Sequence, residues 1–259
     1  MGRLYIGCSG WKYKDWVLNP GSEGGIYPKT APSDKYLEIY AHSFDTVEVK
    51  QTAHHIIPDD TMAQWSGQTP DSFRFTVVMW KEFIYKRQFE VVNGLLEKWF
   101  KPLRRLGEKL AVILIIIPSF IEIDQLGRLE EFLESLPQEY RYAIEFKHPS
   151  WLTGATLQLL QKRNVAWVSL YSPNEIQFLR YTGDVAYVRF QGASRAYKSF
   201  ERLILNPLPA FQRMAEQIRA ATLRCDVFVF VDNNFAGNAP LACKLLQQML
   251  SDQKRSTTH

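Results

Sequence analysis

Long hydrophobic runs are missing from this chain. The longest, residues 110–117, stops at Pro118, far short of the roughly 20 residues that cross a bilayer. No membrane span is expected. The opening residues, Met1-Gly2-Arg3-Leu4-Tyr5-Ile6, show no signal-peptide pattern and no Ser or Thr at position 6 for myristoylation, so a cytoplasmic location is expected. Cysteine is scarce. Cys8, Cys225 and Cys243 are widely spaced and odd in number, with no CxxC or Cys/His cluster to suggest zinc, and are read as buried thiols. HxH and HExxH spacings are also missing. The adjacent His54 and His55 would point apart on an extended segment, so a hydrated loop is expected there rather than a metal. Nothing in the sequence calls for a cofactor, and nothing sets an oligomeric state.

What is present is a repeated alternation of short β-rich runs with helical stretches. Strands are expected over residues 4–9, 44–50, 73–79, 110–117, 142–147, 166–171, 186–191 and 227–232. Most are near-continuous apolar runs, as parallel strands covered on both faces should be. Helices are expected over 33–41, 60–65, 89–106, 125–135, 154–162, 207–221 and 240–249, whereas 173–181 shows no clear helical face. No linker or repeat divides the chain. These units predict an α/β fold, a single (β/α)8 TIM barrel over residues 1–250, followed by a polar tail at 251–259. An open doubly wound sheet is less favoured, because Gly7-Cys8-Ser9-Gly10-Trp11 is not the GxGxxG loop. The net charge of +4 is a weak lean toward anionic partners.

Period two within the strands separates an apolar face from a polar one. The fifth strand sets Ile144 and Phe146 against Glu145 and Lys147; the second sets Val47 and Val49 against Glu48 and Lys50. The third opposes Phe73, Phe75 and Val77 to Arg74, and the seventh opposes Val188 and Phe190 to Tyr187, Arg189 and Gln191. The apolar faces must meet the helices, so the barrel interior is expected to carry Glu48, Lys50, Arg74, Glu145, Lys147 and Arg189. Paired charges that fix strand register would account for them. So would a site for an anionic ligand, with Arg189 as clamp and a glutamate as acid or base.

Several segments resemble the YecE-like family (domain of unknown function 72). They are Ile6-Gly7-Cys8-Ser9-Gly10-Trp11, Phe44-Asp45-Thr46-Val47-Glu48-Val49, Phe73-Arg74-Phe75, Pro118-Ser119-Phe120, Ala143-Ile144-Glu145-Phe146-Lys147-His148-Pro149-Ser150-Trp151, Tyr187-Val188-Arg189 and Asp232-Asn233. The resemblance runs in order along nearly the whole chain. It implies a TIM barrel and no settled activity. The chain departs from the family pattern at Lys50, Val78, Tyr85, Ile115, Tyr171 and Gln191, so a changed substrate and a loss of catalysis are both left open.

His148, at the strand end, is placed either to shuttle protons or to bond neighbouring backbone. Trp11, Tyr13, Trp16, Trp80 and Trp151 follow strands, where they would ring the mouth and stack on sugars or bases, although Trp16 suits packing better. Lys81, Lys86 and Arg87 after strand three, with Arg195 and Lys198 after strand seven, would favour phosphate or nucleic acid if they share that mouth. The expected function is an enzyme acting on an anionic or sugar-phosphate-like substrate. Glu145, Glu48 and His148 are its catalytic candidates. Its binding candidates are Arg189, Lys147, Lys50, Trp11, Tyr13, Trp151, Gln191, Asp232 and Asn233. The alternative is a non-catalytic barrel that binds nucleic acid or phosphate.

Overall fold

A computed structural model of the chain describes residues 1–20, 23–91, 94–172, 175–176 and 178–256, without the side chains of 175–176 and 252–256. The strands are β1 (Leu4–Cys8), β2 (Thr46–Val49), β3 (Arg74–Val78), β4 (Leu110–Ile117), β5 (Tyr142–Phe146), β6 (Ala166–Ser172), β7 (Glu175–Ile176), β8 (Val185–Phe190) and β9 (Asp226–Val231). The helices are α1 (Tyr36–Ala41), α2 (Asp59–Gly67), α3 (Leu95–Leu103), α4 (Leu126–Ser135), α5 (Gly154–Lys162), α6 (Leu208–Thr222), α7 (Asn233–Ala236) and α8 (Ala239–Ser256). The sheet runs β5-β4-β3-β2-β1-β9-β8-β6-β7, and β5 also pairs with β6. That closes eight strands into the expected (β/α)8 barrel and leaves β7 as a short antiparallel partner of β6. The stretch without a helical face thus contributes Glu175–Ile176 to the sheet; residues 173, 174 and 177 lie outside the described residues.

Local chemistry sets the boundaries. β4 is apolar along its whole length, as a strand buried on both faces requires, and Pro118 follows it. α5 begins where the Thr153 side chain accepts a hydrogen bond from the Thr156 amide, 3.2 Å away. The helix expected over 89–106 is instead only α3. Gln88 and Phe89 have φ of 46° and 74°, and Gly94 has 78°, conformations that no α-helix accommodates. A π-type turn over Glu82–Lys86 stands before them.

The described chain packs as two compact units: Met1–Val47 with Ser169–Leu179 and Val188–His259, and Glu48–Val168 with Arg180–Tyr187. In the first, β1 lies beside β9 in register from Leu4↔Val227 to Cys8↔Val231. The Tyr40 hydroxyl accepts from the Cys8 amide at 2.8 Å and donates to the Thr46 carbonyl at 2.9 Å, tying β1 to the start of β2. Gly7 is required there, since a Cβ would stand 2.0 Å from the Thr46 oxygen. In the second unit β3, β4 and β5 are parallel neighbours, matched at Val78↔Leu114 and Ile117↔Phe146. Their C-terminal ends therefore emerge side by side along one rim.

Candidate functional site

That rim in the second unit gathers most of the chemistry. Glu145 lies on β5 and is 1 % exposed. Its carboxylate forms an ion pair with the ammonium of Lys147, whose side chain is 33 % exposed. The two share a strand face, as the alternation requires, but Lys147 stands past the end of β5 and reaches solvent rather than the interior. Glu48, on β2, is fully buried, and its Oε2 accepts from the Tyr187 hydroxyl at 2.8 Å. Lys50 is half-buried where β2 gives way to a 3-10 turn over Gln51–Ala53. Arg74 was expected inside the barrel. Its guanidinium instead donates to the Asp71 and Phe73 carbonyls at 2.8 and 3.0 Å, in the loop that enters β3.

Beyond β5 the chain turns over Pro149–Trp151. His148 caps this turn: its Nδ1 lies 3.2 Å from the Ser150 amide nitrogen and 2.8 Å from the Ser150 Oγ. Its Nε2 is 3.7 Å from a Glu122 carboxylate oxygen. Trp151 is not a platform at the mouth. It is fully buried, stacks on Phe146 at 4.8 Å, and donates its indole N–H to the Ile121 carbonyl. His54 and His55 are both exposed. Among the described residues no three His, Cys, Asp or Glu side chains could hold a metal ion together.

Sequence reasoning places Lys81 among the basic groups after strand three that would favour phosphate, but passes over two rim residues, Tyr85 and Phe120, as binding groups. Lys81 holds its ammonium 5.4 Å from the ring centre of Tyr85. Tyr85 meets Phe120 edge-on at 5.7 Å, and Phe120 is 58 % exposed. Burial, and then the negative charge of Glu145, raises the Tyr85 phenol above its ordinary pKa. The available signal was the departure from the family pattern at Ile84-Tyr85. Elsewhere those departures became apolar wall, with Val78 and Ile115 both buried.

The first unit places the other candidates. Arg189, on β8, is 3 % exposed. Gln191 is half-buried and its amide bonds the Tyr171 carbonyl at 2.9 Å. Tyr171 packs against Phe190 and Phe235. Asp232 was read as a ligand contact, yet its carboxylate caps α7, accepting from the Asn234 amide at 2.8 Å. Asn233 is buried, and its Oδ1 accepts from the Trp16 indole and the Ala239 amide. Trp11 is buried rather than ringing the mouth, and its carbonyl accepts from the Tyr27 hydroxyl. Tyr13 is half-buried, with its hydroxyl 3.1 Å from the Ser9 carbonyl and its ring against Trp16. Of the three thiols, Cys8 and Cys243 are buried while Cys225 is partly exposed.

A closed parallel barrel carrying acidic and basic side chains at the C-terminal ends of its strands is a TIM-barrel protein with its candidate site on the usual face. The chain belongs to the family described as "Protein of unknown function DUF72", which matches residues 5–259. It is 26 % identical to YecE of Escherichia coli over 148 residues, 57 % of this chain. That match spans half the length of YecE. A DUF72 family protein from Thermotoga maritima superposes with a TM-score of 0.77 at 23 % identity, over 96 % of this chain and 99 % of its own. One from Enterococcus faecalis does so at 0.72 and 17 %, over 97 % and 98 %. At such identities the superpositions establish the fold. Among the described residues no helix is long and apolar enough to cross a membrane.

Proposed function

We propose that this protein is an enzyme performing acid–base chemistry on an anionic, sugar-phosphate-like substrate, with Glu145 as its proton carrier. The observation that carries the reading is a carboxylate 1 % exposed at a barrel strand's C-terminal end, paired with the partly exposed ammonium of Lys147. Burying a carboxylate is costly unless it is paired, and a pair open on its cationic side has an ammonium to offer an incoming anion. His148, next along the chain, is a second group able to move a proton. A cytoplasmic setting suits three free thiols.

The nucleic-acid reading draws less support. Lys86 and Arg87 both turn to one carboxylate, Glu82, at 2.9 and 3.5 Å, which neutralises part of the basic stretch after β3. The test is a panel of phosphorylated and carboxylated sugars in D2O, followed by NMR for turnover or solvent deuterium uptake. Glu145→Gln should lower the rate by about 10²–10⁴-fold, the usual worth of a positioned acid or base. An unchanged rate in Glu145→Gln would overturn the assignment. A salt-dependent gel shift of a single-stranded oligonucleotide, with no turnover, would favour the binder instead.

A further inference from the structure

The cations after β3 differ in what they face. Lys86 and Arg87 are committed to Glu82. Lys81 is half-buried, and among the described residues its ammonium makes no ion pair; it lies over the face of the Tyr85 ring. An ammonium over an aromatic face is stabilised only modestly, by about 0.5–1 kcal/mol where water still reaches it. It keeps the capacity to bind an anion. His54 lies within reach of its field: burial first, and then the charge of Lys81, holds the imidazole below its ordinary pKa.

Beside Lys81 stands an apolar surface that the described residues leave partly open, with Tyr85 half-buried and Phe120 exposed. Phe120 follows β4 after Pro118 and Ser119, is 58 % exposed, and meets Tyr85 edge-on. Tyr85 lies within the π-type turn over Glu82–Lys86, a form that takes one more residue per hydrogen-bonded turn than an α-helix. Because β3, β4 and β5 are parallel neighbours in that order, the segments that carry Lys81 and Tyr85, then Phe120, then Lys147 leave the same ends of adjacent strands. A cation, an aromatic face and a second cation in series fit a ring whose apolar C–H face stacks on the aromatic side chains while a charged substituent meets an ammonium.

We propose that Lys81, Tyr85 and Phe120 form a substrate subsite for a sugar carrying a phosphate or carboxylate group, with the anion at Lys81 and the ring against Phe120 and Tyr85. This assignment rests on the Glu145 reading for its chemistry but binds independently of it. Isothermal titration of the whole chain with ribose 5-phosphate, gluconate, inorganic phosphate and neutral fructose tests it. Ribose 5-phosphate or gluconate should bind wild type, and whichever binds identifies the anion. Lys81→Gln and Phe120→Ala should each weaken that binding by about tenfold, equivalent to about 1.4 kcal/mol. Inorganic phosphate should lose affinity in Lys81→Gln and keep it in Phe120→Ala, and fructose should bind most weakly of the sugars. Circular dichroism confirms that the variants are folded. The subsite is overturned if no anionic sugar binds wild type at millimolar concentration, or if both variants bind as wild type does. Glu145→Gln separates the two ideas: lost turnover with binding retained supports both. Retained turnover with subsite binding intact removes the acid–base role alone.

Discussion

The Tyr187 hydroxyl donates to Glu48 Oε2 at 2.8 Å, and both side chains are fully buried. A carboxylate taken wholly out of water depends on each donor it retains. Tyr187→Phe should therefore destabilise the fold by about 1.5–3 kcal/mol, the range for hydrogen bonds to charged groups. Urea unfolding monitored by tryptophan fluorescence measures it. A loss below about 0.5 kcal/mol would mean that other donors already satisfy Glu48.

Asp45 supplies a pH dependence. Burial raises its carboxyl above the ordinary value, against the opposing pull of Arg3 and of backbone amides. The group binds its proton more tightly folded than unfolded, so its stabilising effect is complete below the unfolded pKa. That effect drains away as pH rises through the folded one. Asp45→Asn lacks this decline. Its stability relative to wild type should grow from acid pH toward neutrality, because the Arg3 pair it gives up is exposed and weak. A flat difference across that interval would contradict the burial argument.

Lys81 and His54 can be probed together by NMR. In Lys81→Ala the His54 pKa should rise part-way toward that of a free imidazole, since burial, the larger cause, persists. A full return to the free value would mean that the loop itself had opened.

Gly192 approaches α7 so closely that a Cβ would stand 1.7 Å from the Asn234 carbonyl oxygen. Gly192→Ala must displace backbone and should cost about 1–3 kcal/mol in thermal or chemical unfolding. Gly127, which has open space around it, provides the control, and Gly127→Ala should leave stability unchanged or slightly higher.

The fold was legible because burial writes itself into the sequence. β4 coincides with its apolar run, and the face shared by Glu145 and Lys147 followed from simple alternation. Legibility failed where the path depends on sparsely populated dihedrals. The expected helix over 89–106 runs through the poor helix formers Val91 to Gly94, and the positive φ of Phe89 and Gly94 redirects the chain. It failed again for the tryptophans. Trp11 and Trp151 do follow strands, but their burial depends on which segments fold over them, and spacing along one chain does not encode that; Trp16 packs as its sequence context suggests. Tyr85 stayed hidden because a π-type turn has no strong sequence signature.

The cap made by His148 has a consequence for proton traffic. A backbone amide can only donate, so the Nδ1 beside the Ser150 N–H must present its lone pair, which leaves the neutral ring's hydrogen on Nε2. That nitrogen faces outward, toward the exposed carboxylate of Glu122. A molecule arriving there meets an imidazole prepared to give a proton or a hydrogen bond, and one that can take a proton only by breaking its own turn.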